Sequence, residues 1–190
     1  MKGTIVLFVV FALSTLAFGQ GNYRASNVSM TIKGSSNLHD WESSAKEVRA
    51  RGSIILEANT LKSIPSFSVE VPVKSIKSAK GSIMDGKTYD ALKADQYPNI
   101  TYTLEKVTGL NKKGENYDLY ASGSLSMAGA SNKIDLYVKV KVNADGSLTF
   151  SGSKKLKMTD YKIDPPKALF GTLTTGNDVE IVFQVTVKQI

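Results

Sequence analysis

The 190-residue chain contains no cysteine and a single histidine, His39. A thiol nucleophile is therefore excluded, and so is a zinc site assembled from several His and Cys ligands. Without cysteine there are no disulfides, and there is no anchor point for a bacterial lipoprotein. Nucleotide-binding and hydrolase signatures are also missing: no Walker A run, no Rossmann glycine pattern and no G-x-S-x-G occurs. His39 stands beside Asp40, but neighbouring strand residues point to opposite faces, so the two cannot act as a base and its orienter. The expectation is a protein that is not an enzyme and carries no cofactor and no catalytic or metal-binding residues.

Long hydrophobic runs are scarce as well. The one such segment, at the N-terminus, has Lys2, an apolar run from Ile5 to Leu13, and small residues at Ala17 and Gly19. From Ile5 to Phe18 it measures 14 residues, short of the roughly 20 a spanning helix needs. This three-part pattern reads as a secretory signal peptide over residues 1–19. The remainder, 20–190, has the size of one domain. Its expected location is periplasmic or secreted.

Lysine and arginine total 24 against 17 acidic residues, a net charge of +7. The lysines are dispersed rather than blocked, which describes a solvated surface. For an exported protein such basicity favours transient contact with an anionic membrane surface, and nucleic acid is not an expected partner.

What the chain does have is two-residue alternation. Val28, Met30 and Ile32 alternate with Ser29 and Thr31, and Phe67, Val69, Val71 and Val73 with Ser68, Glu70 and Pro72. Ile134, Leu136, Val138, Val140 and Val142 form the clearest run, and Val179, Ile181, Phe183, Val185 and Val187 the last. Weaker runs pass through Ile100, Tyr102 and Leu104, through Leu119 to Met127, and through Leu148 and Phe150. Each puts apolar side chains on one strand face and polar ones on the other. Turn chemistry is read at Asn111–Gly114, Ala128–Asn132, Asn143–Gly146 and Thr175–Asp178. One short helix is expected between Ile83 and Asp95, with Asp85 as its cap and Pro98 as its stop.

A meander of antiparallel strands with one apolar face packs as a sandwich or closes into a barrel. An eight-stranded barrel is just wide enough to be filled by side chains or to hold one small ligand. The inward set here is mostly Val, Ile and Leu with Ala121 and Gly123, and periodicity leaves open whether the interior is hollow or packed.

Three further runs carry a family resemblance: G-S-S-N-L-H-D-W from Gly34 to Trp41, M-D-G-K-T-Y-D-A-L-K-A-D-Q-Y-P-N-I-T-Y from Met84 to Tyr102, and M-T-D-Y-K-I-D-P-P from Met158 to Pro166. Together they resemble the YceI-like family of exported lipid- and polyisoprenoid-binding proteins. The resemblance spans about Arg24 to Lys188 and implies an all-β fold, an extended eight-stranded antiparallel β-barrel, lipocalin-like, with one short helix. It also implies a function: holding a long-chain apolar ligand, such as a polyisoprenoid, an isoprenoid quinone precursor or a fatty-acid derivative, for transport or storage.

The expected ligand-binding residues are Phe67, Val69, Val71, Ile100, Tyr102, Leu125, Val138, Val140, Phe150, Ile181 and Phe183. Residues near the helix and the Pro165 segment would close the mouth. The alternative is a packed barrel that acts as an envelope stress or protein-interaction factor without a lipid. Besides the isoprenoid or other long-chain lipid, a second copy of the chain, as a homodimer, is an admitted partner.

Overall fold

The computed structural model describes residues 20–168 and 171–190, so the expected signal peptide lies outside the described residues. Eleven strands and one α-helix follow in the order β1 (Gln20–Ser36), β2 (Trp41–Ala45), β3 (Arg49–Glu57), β4 (Thr60–Pro72), β5 (Ile76–Ser78), α1 (Ser82–Ala91), β6 (Asn99–Lys113), β7 (Asn116–Met127), β8 (Ala130–Val142), β9 (Leu148–Lys157), β10 (Lys167–Ala168) and β11 (Leu173–Gln189). All pairings are antiparallel, and β11 returns to β1 from Tyr23↔Gln189 to Ser36↔Thr175. That pairing closes the ring β1-β3-β4-β6-β7-β8-β9-β11, an eight-stranded barrel. Closure removes the free edges that an open sheet would expose. The short strands are additions: β2 pairs with the second half of β1 and with β5, and β10 with the start of β11.

Alternation decides what faces inward. Along β8, Ile134, Leu136, Val138 and Val140 turn in while Asp135, Tyr137, Lys139 and Lys141 are exposed, as the period of two requires. The lower half of the barrel, at the end holding the 58–59, 114–115 and 143–147 turns, is packed. Tyr23, Ile54, Leu61, Tyr117, Val140, Leu148 and Val187 form its core. The upper end is covered by a second apolar cluster in which Leu125, Met127, Tyr161 and Ile163 meet Ala91 and Leu92 at the end of α1.

Helix α1 is expected from the sequence, but its cap is not the expected one. The N-cap is Gly81, and Asp85 sits in the first turn. There the buried Asp85 carboxylate accepts the Ser78 N–H at 2.7 Å, with Lys77 Nζ at 3.4 Å. It thus ties the helix back to β5. The Tyr89 hydroxyl adds a second tie, lying 2.9 Å from the Lys74 carbonyl and 3.0 Å from that of Ile76.

Two of the expected turns are shorter than the sequence suggests, and one is absent. Asn111–Lys113 and Ala130–Asn132 belong to strands, leaving two-residue turns at Gly114–Glu115 and at Ala128–Gly129, where φ is 51° and 81°. Thr175–Asp178 is strand rather than turn. Ser36 pairs with Thr175, and Gly176 passes so close to β1 that a Cβ there would lie 2.5 Å from Ser35 Oγ. Its glycine provides a close backbone approach, not a reversal.

Candidate ligand pocket

Above the packed floor, the barrel interior opens into a cavity of about 140 Å³. An engineered apolar cavity of roughly 150 Å³ stays dry and accepts benzene, so this one has room for about one such ring or a comparable stretch of chain. Seven of the eight wall strands contribute, all but β3. β1 brings Met30, β4 brings Phe67, Val69 and Val71, β6 brings Ile100, Tyr102 and Leu104, and β7 brings Leu119, Ala121 and Leu125. The circle is completed by Ile134, Leu136 and Val138 on β8, Phe150, Lys154 and Leu156 on β9, and Ile181 and Phe183 on β11.

Ten of the eleven residues named from the sequence line this cavity: Phe67, Val69, Val71, Ile100, Tyr102, Leu125, Val138, Phe150, Ile181 and Phe183. The eleventh, Val140, is fully buried one layer below, in the floor beside Leu148 and Val187. Phe67 and Phe150 meet across the lower end of the cavity with ring centroids 5.1 Å apart and a 40° tilt, an arrangement aromatic pairs favour. Ten further lining residues were left out of that set, among them Met30, Leu104, Ala121, Leu136, Lys154 and Leu156. The phase of Lys154 was readable, two residues beyond Gly152 and four beyond Phe150, but a lysine is not expected on an apolar face.

Two polar groups interrupt the hydrocarbon lining. The Tyr102 hydroxyl is buried and has no hydrogen-bond partner among the described residues. Burial, with lesser help from the charges of Glu105 and Asp135, pushes its pKa up to about 12, so it is a neutral donor. Its ring lies against Gly123, where a Cβ would come within 2.6 Å of it. The second group is the Lys154 ammonium, whose Nζ donates to the Asp135 carbonyl at 2.8 Å.

At the upper end, Tyr161 is 2 % exposed within the capping cluster. Burial raises its pKa, and among the described residues its hydroxyl has no partner at hydrogen-bonding geometry. The nearby Asn132 amide is instead committed to the Asp160 carbonyl at 2.7 Å. His39 and Trp41 stand outside the cavity. The His39 Nδ1 lies 2.8 Å from the Asp40 main-chain oxygen, and Trp41 Nε1 donates to the Ser35 carbonyl at 2.9 Å with its ring over Gly34. Both fasten the β1–β2 connection.

The chain matches the YceI-like domain over residues 14–187 and belongs to that family. Its fold is that of several solved structures. A polyisoprenoid-binding domain from Saccharophagus degradans implicated in plant cell wall breakdown aligns at TM-score 0.69 and 14% identity, over 90% of this chain and 100% of that one. BcnA of Burkholderia cenocepacia aligns at 0.62 and 18%, over 85% and 96%. The YceI protein of Campylobacter jejuni aligns at 0.54 and 22%, over 98% and 97%. No curated protein matches the chain.

Proposed function

We propose that this YceI-like barrel binds a long-chain apolar ligand, a polyisoprenoid or a fatty-acid derivative, in its interior and carries or stores it without chemical change. The observation that carries this reading is the cavity itself: a hydrocarbon-lined space bounded by side chains from seven of the eight wall strands, above a floor that is fully packed. A space needed only for folding would be filled, because a void forfeits packing contacts. The description of the Saccharophagus degradans relative as a polyisoprenoid-binding domain supports the same class of ligand.

Affinity comes from burying the chain at roughly 25 cal/mol per Å² of apolar surface, less the costs of association. The volume matches a segment of chain, so a long prenyl or acyl ligand places one stretch in the cavity and widens the interior or leaves it for the rest. The leader-like N-terminus favours a periplasmic or secreted carrier, and the net charge of +7 favours brief contact with anionic membranes during loading.

Native mass spectrometry and organic extraction of the purified protein test the reading. A co-purifying prenyl or acyl lipid, or one-to-one uptake of such chains offered in vitro, is expected. Absence of both overturns it.

A further inference from the structure

The barrel wall is not hydrogen-bonded along its whole height. β8 and β9 pair only from Lys139↔Ser151 down to Val142↔Leu148. Above that, among the described residues, the upper part of β8 has a backbone ladder only with β7, and the upper part of β9 only with β11. A seam therefore runs up the wall, and an open cleft lies outside it, lined by residues 132–135 of β8 and 154–157 of β9 together with Asp160, Tyr161 and Asp178. Ile134, Lys154 and Leu156 line both this cleft and the interior cavity. The two spaces are thus separated by three side chains.

Lys154 is placed where its chemistry is least expected. It shares the inward phase of Leu148, Phe150 and Leu156, so its stem borders the cavity while its ammonium reaches the seam. There it donates to one backbone carbonyl, Asp135 O. An ammonium has three donors, and among the described residues Lys154 has no carboxylate partner. Two of the other three lysines in the cleft differ: Lys157 pairs with Asp178 at 3.5 Å and Lys133 with Glu105 at 3.6 Å; Lys155, also without an ion pair among the described residues, has the outward phase of β9. The unpartnered Tyr102 hydroxyl belongs to the same region, because its ring lies on Gly123, whose β8 partner is Ile134, the residue before Asp135.

We propose that Lys154 and the Tyr102 hydroxyl form the head-group end of the ligand site, so that the barrel takes an amphiphile with one anionic head, a carboxylate or phosphate monoester, held at the β8–β9 seam. This deepens the carrier reading above and rests on it. The chain lies in the cavity, the head exchanges places with the Asp135 carbonyl on Lys154, and the seam is the way in. Charge-assisted hydrogen bonds of this kind are about twice as strong as neutral ones, and they satisfy donors that the protein leaves open.

The test is a fluorescence titration of lipid-stripped protein with a polyene fatty acid, its methyl ester, and inorganic phosphate. The acid is expected to bind about tenfold or more tightly than the ester. Lys154→Met and Lys154→Gln should abolish the preference, bringing the acid down to the level of the ester in the same variant. Tyr102→Phe should weaken the acid about two- to fivefold. Lys141→Met, which removes an outward charge from β8, should leave the ratio intact, and thermal unfolding of each variant confirms its fold.

Equal binding of acid and ester to the native protein overturns the head-group site alone. A preference that survives both Lys154 variants does the same, as does free phosphate binding as tightly as the acid. If neither acid nor ester binds, the carrier reading fails and this inference falls with it.

Discussion

The hydroxyl of Tyr117, on β7, accepts the backbone N–H of Leu61, on β4, at 3.0 Å through the barrel floor. The two strands are not neighbours, since β6 lies between them in the ring. β4 pairs with β6 only from Ser68↔Thr103 to Pro72↔Asn99, so the lower part of β4 lacks a ladder partner on that side. Tyr117 supplies a substitute acceptor for one of the freed amides. Both residues are buried, at 4 % and 3 % exposure.

Tyr117→Phe keeps the ring and removes that acceptor. A buried amide left unpaired costs about 1–3 kcal/mol. The expected outcome is a fall in Tm of roughly 2–12 °C with the barrel intact, measured by thermal unfolding. An unchanged Tm would mean that the lower β4 amides are satisfied in another way.

Gly123 allows β7, β6 and the Tyr102 ring to approach one another. A Cβ at this position would lie 2.5 Å from the Thr103 carbonyl and 2.6 Å from the ring. Gly123→Ala must therefore shift the strand or swing Tyr102, an overpacking worth about 1–3 kcal/mol. Thermal unfolding should show the loss, and tyrosine absorbance should show the Tyr102 hydroxyl titrating at lower pH if the ring is expelled to solvent.

The inward and outward faces of β8 should respond oppositely to the same substitution. Val138→Asp buries an unpaired carboxylate in the cavity wall, at a cost of roughly 3 kcal/mol or more. Lys141→Asp changes an exposed residue opposite Asn116 and should move stability by less than about 1 kcal/mol. Lys139 is a poorer control, because its cross-strand partner is Asp118 and a second carboxylate there would repel it. Urea unfolding of the first two variants checks the assignment of faces.

Asp118 gives the barrel a predictable acid response. Its carboxylate accepts Lys113 Nζ and the Tyr137 hydroxyl, each at 2.8 Å, and these bonds hold its pKa below the usual carboxylate range. Because the folded value is lower than the unfolded one, the stabilisation is present above the ordinary value of about 3.9 and is lost as pH falls through the folded one. Asp118→Asn should lower Tm at pH 7, and the gap to the native protein should close on acidification below about pH 4. A gap independent of pH would show that the charge is not the stabilising feature.

The parts of the fold legible in the sequence are those where one pleat faces carbon and the other water. β8 and β11 are of this kind, and ten of the cavity-lining residues followed from such runs. β3 was not readable this way. Arg49-Ala50-Arg51-Gly52-Ser53 presents few large apolar groups, and irregular register between Ser53 and Leu56 sets Ile54, Ile55 and Leu56 side by side without alternation. The height of the cavity floor was also hidden. Val140 and Val138 have the same phase, and only packing from Leu148 and Val187 places the former beneath the cavity. The partial pairing of β8 with β9 leaves no mark in the sequence, since both strands alternate up to and beyond the point where they part.

The central claim, that the interior cavity is where an apolar chain binds, is tested most directly by filling it. Ala121 lies in the wall at 5 % exposure, and Ala121→Phe would occupy much of the 140 Å³. The measurement is stoichiometric uptake of a prenyl or acyl chain by lipid-stripped native and Ala121→Phe protein, with Tm recorded for both. The account predicts one-to-one uptake by the native barrel and at least a tenfold weaker response from a variant that remains folded, with overpacking costing it no more than about 1–3 kcal/mol. A folded Ala121→Phe protein that takes up the chain as tightly as the native one would contradict it.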